Sequence, residues 1–214
     1  MGAASHLLAS GPGWRVVDLS CSAGPKDRPF EERHETVCIA AVTAGTFQYR
    51  SSRGAAVFVP GALLLGEYGK CFECGHEHAA GDRCLAFHYA PEHFEAVVAS
   101  VPGARRTGFL SPCLPPMPQF ARLFAEAEAA RDSGDAAAFE ELAFRLAGAV
   151  VATQSGASRP SRAPNAEDVR RVTASVRRIE ASVEQGSTLT ALAREVAMSP
   201  YHFLRVFRSV VGMT

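Results

Sequence analysis

A change of character after "PEHFEAVVASVPGARR" (91–106), from strand-like to helical composition, constrains this chain more than any other feature. Before it, residues 30 to 90 read as strands: "TVCIAAV" (36–42), "TFQYRSS" (46–52), "AAVFVP" (55–60), "ALLLGEY" (62–68) and "RCLAFHY" (83–89) are short and rich in β-branched or aromatic residues. Glycine-containing punctuation separates them at close intervals, which predicts an antiparallel sandwich or small barrel. "VPGALLL" places a Pro-Gly turn between two of these strands. After the change, residues 118 to 153 are dominated by Ala, Glu and Leu and broken near "RDSGD" (131–135), which predicts two helices packed as a hairpin. "SGASRPSRAP" (155–164) has the composition of a flexible linker.

The last fifty residues return to helical spacing. Val169, Val172, Val176, Ile179 and Val183 form an apolar stripe, with Arg170, Arg171, Arg177 and Arg178 off it. "GS" at 186–187 ends that helix, and Thr188 is placed to cap the next, "LTALAREVA". Ser199 followed by Pro200 restarts a helix, with a hydroxyl cap and then a proline in the first turn. In "SPYHFLRVFRS" (199–209) Phe203, Val206, Phe207 and Val210 form one stripe, and Tyr201, Leu204, Arg205 and Arg208 form the other. Two short helices joined by about four residues predict a helix-turn-helix, whose second helix can lie in the DNA major groove. Arginine pairs bidentately with guanine, and Tyr and Leu make apolar contact with a thymine methyl. A plain helical hairpin with a solvated arginine face fits the stripe alone equally well.

The detail of the segment separates the two. "TLTALAREVAMSPYHFLRVFRSVVGMT" resembles the first helix-turn-helix of the AraC/XylS family of transcription regulators, through Leu189, Leu192, Ala193, Met198, Ser199, Pro200, Phe203, Arg205, Phe207, Gly212 and Thr214. The resemblance implies a DNA interface in which Tyr201, Leu204 and Arg205 reach bases. It also implies that Arg208 lies near a phosphate, with Arg194 on the supporting helix as a further phosphate partner. Two features depart from the family pattern. Ala197 stands where many such turns carry glycine, and a left-handed backbone there costs an alanine roughly 1 kcal/mol. Family members also carry a second helix-turn-helix after a connecting helix, whereas this sequence stops at Thr214, so a fragment is expected, with operator affinity near the non-specific range of roughly 10⁻⁴–10⁻⁶ M.

The N-terminal region resembles the cupin-like sensor domain of AraC-type regulators through "GTFQYRS", "VPGALLLG" and "CFECGHEH…GDRC…FHY". In that family the barrel binds an effector or mediates dimer contacts. The expected architecture is therefore α+β: a cupin-like β-barrel sensor domain over 1–105, a helical dimerisation and linker region over 106–164, and a partial helix-turn-helix DNA-binding domain over 165–214.

"CFECGHEHAAGDRC" (71–84) concentrates three of the six cysteines and two of the seven histidines. If the segment turns at Gly75, Cys71 and Cys74 offer two thiolates to one metal; His76 and His78 alternate along the chain to one side, and Cys84, with His88 on the next strand as a further candidate, is placed to complete a soft tetrahedral site, for which zinc is the first ion to test. Three other readings stand beside it: a thiol redox switch, inert buried cysteines with surface histidines, or part of a cupin-type catalytic metal site. That last site would want a Glu where this sequence offers Asp82. His6, His34 and His93 are expected as isolated surface residues.

Net charge is zero, which by itself points to no polyanionic partner. Its distribution is uneven, because residues 156–214 carry nine arginines against five acids. No apolar run reaches bilayer length, and "MGAASHLLASGPGW" has neither a basic leader nor a sustained apolar core. A soluble cytoplasmic protein is expected. No Ser-His-Asp set, phosphate-cradling glycine loop or paired acid site stands out. The expectation is a non-enzymatic, sequence-specific regulator that binds double-stranded DNA, forms a homodimer and answers to a small-molecule or metal effector. The alternative is a metal-dependent cupin enzyme whose helical tail serves only to oligomerise.

Overall fold

A computed structural model describes residues 3–29, 31–77, 80–156, 164–182 and 189–212; the side chains of residues 189, 190, 200–202, 204 and 205 lie outside that description. Ten strands come first: β1 (Ala3–Gly11), β2 (Trp14–Cys21), β3 (Glu31–Arg33), β4 (Val37–Gly45), β5 (Phe47–Ser51), β6 (Gly54–Phe58), β7 (Leu63–Gly66), β8 (Cys71–Gly75), β9 (Asp82–Tyr89) and, beyond the first helix, β10 (Cys113–Leu114). The helices are α1 (Pro91–Ser100), α2 (Pro118–Ser133), α3 (Ala138–Gly156), α4 (Ala166–Ala181), α5 (Leu189–Glu195) and α6 (Pro200–Val211). The strands form two antiparallel sheets, ordered β1-β2-β9-β4-β7-β10 and β3-β8-β5-β6.

The middle of the larger sheet is buried on both faces, which explains a sequence pattern that alternation alone does not. On β4, Val37, Ile39 and Ala41 join Leu85, Phe87 and Tyr89 of β9 beneath the helices, in a core completed by Phe120, Phe139, Leu142, Leu146 and Val150. The intervening Cys38, Ala40 and Val42 face the smaller sheet, where Phe47, Tyr49 and Phe58 meet them. A strand covered on both sides needs apolar residues at every position, hence the unbroken "VCIAAV". Of the segment 106–164, the part up to residue 156 shares this core: β10 extends the sheet, and α2 and α3 pack on it as an antiparallel pair.

The turn in that pair follows from two residues. Gly134 sits at φ 70° and closes α2, its N–H reaching Arg131 O at 3.2 Å while Asp135 N–H reaches Ala130 O at 2.9 Å. Asp135 then accepts from the N–H groups of Ala137 and Ala138 at 3.1 and 3.2 Å, starting α3.

Two expectations meet corrections here. Of the three histidines expected at the surface, only His6 is exposed. His34 is 9% exposed, hydrogen-bonds Tyr49 Oη through Nε2 at 2.9 Å and stacks on Phe72 at 4.1 Å. Gly66 makes room for it, because a Cβ there would strike the imidazole. His93 is half-buried, its ring 6.3 Å from Tyr89 and 5.1 Å from Phe144. Residues 71–75, expected as a turn, form strand β8 instead. The caps expected at 183–188 and most of the linker at 155–164 lie outside the described residues.

Candidate functional sites

The C-terminal unit is built on α4, which begins at Asn165, whose Oδ1 accepts the Asp168 N–H at 2.8 Å. Its buried face carries Val172 and Val176, and Arg178 bridges to Glu195 of α5 at 3.4 Å. Between α5 and α6 the chain turns at Ala197, the one non-glycine among the described residues with a left-handed backbone (φ 54°). Ala197 N–H reaches Arg194 O at 3.1 Å and Met198 N–H reaches Ala193 O at 2.9 Å. This pair of bonds closes the helix as glycine does elsewhere, with Met198 and Ala193 buried beside it. Ala193 is fully buried beneath the turn.

α6 starts as Phe203 N–H bonds to Ser199 O at 2.8 Å. Phe203 and Val206 are buried, Phe207 and Val210 are partly so, and the Phe203 and Phe207 rings lie 5.4 Å apart. With 3.6 residues per turn, positions 201, 204, 205 and 208 fall on the opposite side of the helix. Arg208 is exposed there, and Arg194 is exposed on α5. Tyr201, Leu204 and Arg205 belong to the same face by position, and their side chains lie outside the described residues.

The cysteine and histidine residues distribute differently. Cys71 and Cys74 are three apart on a strand, so they point to opposite faces. Cys74 pairs with the inward Tyr49, and burial pushes its thiol pKa well up. Cys84 is buried on β9 against Val42, its pKa also raised by burial. A spacing that chelates in a turn does not do so in an extended chain. His76 is buried and His78 lies outside the described residues.

What the fold brings together is another set, Cys21, His76 and Asp82, whose ligand atoms all lie within 4.8 Å of one another. His76 Nε2 is 2.6 Å from Asp82 Oδ2, with side chains only 4% and 11% exposed. Cys21 Sγ accepts the Ala23 N–H at 3.4 Å, and the Cys84 thiol donates to Asp82 Oδ1 at 3.7 Å. Sequence reasoning named His76, noted Asp82 and missed Cys21, which carries no local signal. A separate cleft of about 240 Å³ between α1, α3 and the 103–110 loop is lined by Phe94, Arg105, Arg106, Phe109 and Gln154.

The sequence matches no protein-family model and no curated protein. Among solved structures, the chain is similar to the AraC-like transcriptional activator CuxR, with 14% identity over 96% of this chain and 73% of that one, TM-score 0.49. It is similar over 42% of its length to a cupin superfamily protein from Desulfitobacterium hafniense, covering 78% of that chain at 14% identity, TM-score 0.36. The EutQ protein of Clostridium difficile gives 14% identity over 41% of this chain and 68% of that one, TM-score 0.35. No helix among the described residues is long and apolar enough to cross a membrane.

Proposed function

We propose that the protein is a non-enzymatic, sequence-specific DNA-binding transcription regulator, acting as a homodimer in the cytoplasm. One observation carries the reading: α6 is held by Phe203 and Val206 on one side while positions 201, 204, 205 and 208 line the other. A helix fixed by its apolar stripe and closed off from its neighbour by a sharp turn can enter a major groove without rearranging. Arg205, with Tyr201 and Leu204, would read bases, and Arg208 and Arg194 would neutralise phosphates. The β-barrel unit would sense the effector.

Titration of labelled duplex DNA across a salt series tests this. Retention should weaken steeply with salt, and Arg208→Ala should lower the slope of log K against log[salt] by about one unit on every sequence. On a duplex enriched from a random pool, Arg205→Ala should cost roughly 1–3 kcal/mol and relax preference at one base pair. Equal loss on enriched and random DNA would remove Arg205 from base readout. Failure to retain any duplex at low salt would overturn the reading.

A further inference from the structure

We propose that Cys21, His76 and Asp82 bind a zinc-class divalent cation, and that Arg177 passes the state of this site to α4. Three strands of the two sheets supply the donors: Cys21 ends β2 and Asp82 begins β9 in the larger sheet, and His76 follows β8 of the smaller one. Their proximity is fixed by register, because Cys21 and Asp82 are direct partners on β2 and β9. On the other side of β9, Gly45 is the partner of Asp82, and a Cβ there would strike the Gly81 carbonyl. The backbone therefore needs glycine at 45 to carry Asp82 where it stands.

The donor chemistry fits such an ion. A thiolate, an imidazole and a carboxylate give sulfur, nitrogen and oxygen ligands of the kinds zinc takes, and their two negative charges neutralise the cation in a half-buried place. Ligands on a tetrahedral zinc stand about 3.3–3.8 Å apart, given metal–ligand bonds of about 2.0–2.3 Å. The His76–Asp82 pair at 2.6 Å opens by less than about 1 Å, and the sulfur closes by a comparable amount from within 4.8 Å. Supporting contacts are already in place: the Ala23 N–H on the Cys21 sulfur and the Cys84 thiol on the second oxygen of Asp82. Three protein ligands leave a fourth position for water or a ligand.

The link to the helical unit is direct. Arg177 Nη2 on α4 donates to the carbonyls of Ala80 and Gly81 at 2.9 and 3.0 Å, immediately before Asp82. Its Nε is buried without a hydrogen-bond partner among the described residues. Gly81 N–H in turn bonds Ala23 O at 2.9 Å, two residues after Cys21. An ion that tightens Cys21 against Asp82 draws the 21–23 segment toward the 80–81 segment, whose carbonyls Arg177 holds.

The proposal stands apart from DNA binding, and its test needs no DNA. The reduced 214-residue protein is titrated with Co²⁺, then with Zn²⁺ and analysed for metal after dialysis. A near-ultraviolet thiolate-to-cobalt band and about one zinc per chain are expected, lost in Cys21→Ser and Asp82→Asn and retained in Cys71→Ser. Circular dichroism checks each variant's fold, and Asp82→Asn decides should Cys21→Ser fail to fold. Absence of the band in the parent protein, its persistence in Cys21→Ser, or its loss in Cys71→Ser would overturn the site. Hydrogen exchange along α4 should slow on zinc loading in the parent protein and not in Arg177→Ala, with the band intact in both. Unchanged exchange along α4 in the parent protein would overturn the coupling.

Discussion

Ala197 holds a left-handed backbone that a Cβ disfavours by roughly 1–2 kcal/mol. It is exposed, so substitution disturbs no packing. Ala197→Gly should stabilise the folded chain by about 0.5–1 kcal/mol, after allowing for the larger entropy of glycine in the unfolded chain. A urea titration followed by helix signal reads this as a raised midpoint; an unchanged or lowered midpoint contradicts it. His34 makes a second residue-scale prediction. Burial pushes its pKa down to about 4, against about 6.5 when unfolded, so the unfolded chain takes up a proton first as pH falls. The stability tied to the neutral ring is complete above about pH 6.5 and lost progressively down to about pH 4, by up to about 3 kcal/mol. His88 is shifted to about 4 by burial, with Arg15 and His34 adding to it, and acts in the same window. Thermal unfolding from pH 7.5 to 4.5 should be less pH-dependent in His34→Gln than in the parent chain, and equal slopes would refute the assignment.

At the scale of the element, α6 separates anchoring from reading. Phe203 is 3% exposed, and Phe203→Ala should destabilise the chain by about 3–5 kcal/mol through lost burial and a cavity. Arg208 is exposed, so Arg208→Ala should change stability by no more than about 0.5 kcal/mol while reducing DNA retention. Phe203→Ala should therefore lose both stability and DNA retention, whereas Arg208→Ala should lose DNA retention alone. Similar losses in both assays for Arg208→Ala would mean that the arginine supports the helix instead of the ligand. α6 was legible in the sequence because its stripe repeats within one element. β8 was not, because "CFECG" carries no signal that distinguishes a strand from a turn until β5 and β3 pair with it on both sides.

For the whole molecule, the large sheet is the layer on which both other parts are assembled. Tyr89, fully buried on β9, donates its hydroxyl to Ala143 O of α3 at 2.8 Å, tying sheet to helices. Tyr89→Phe should cost about 1 kcal/mol, because the ring stays packed and a carbonyl already used in a helix loses a second bond. Calorimetry on the pair checks this, and a loss above about 3 kcal/mol would mean that the hydroxyl holds more than this one contact. On the other side, residues of α4, α5 and α6 share a cluster with residues between the two sheets, and a Cβ at Gly212 would strike Pro115.

The features that the sequence determined by itself depend on near neighbours. Strand runs at 36–89, the α2–α3 break at Gly134, the stripe on α6 and the strained turn at Ala197 are all written within a few residues of where they act. A helical period or a cap needs nothing more distant than its own turn. The interior place of His34 and the meeting of Cys21 with His76 and Asp82 were decided only by tertiary structure. C-x2-C spacing has no meaning for a metal until the backbone conformation is known, since a turn gathers the thiols and a strand parts them. Cys21 acquires a role through the register of β2 on β9, which is set by burying Val16 and Phe87 on one face of the sheet, and no local stretch of the chain contains that information.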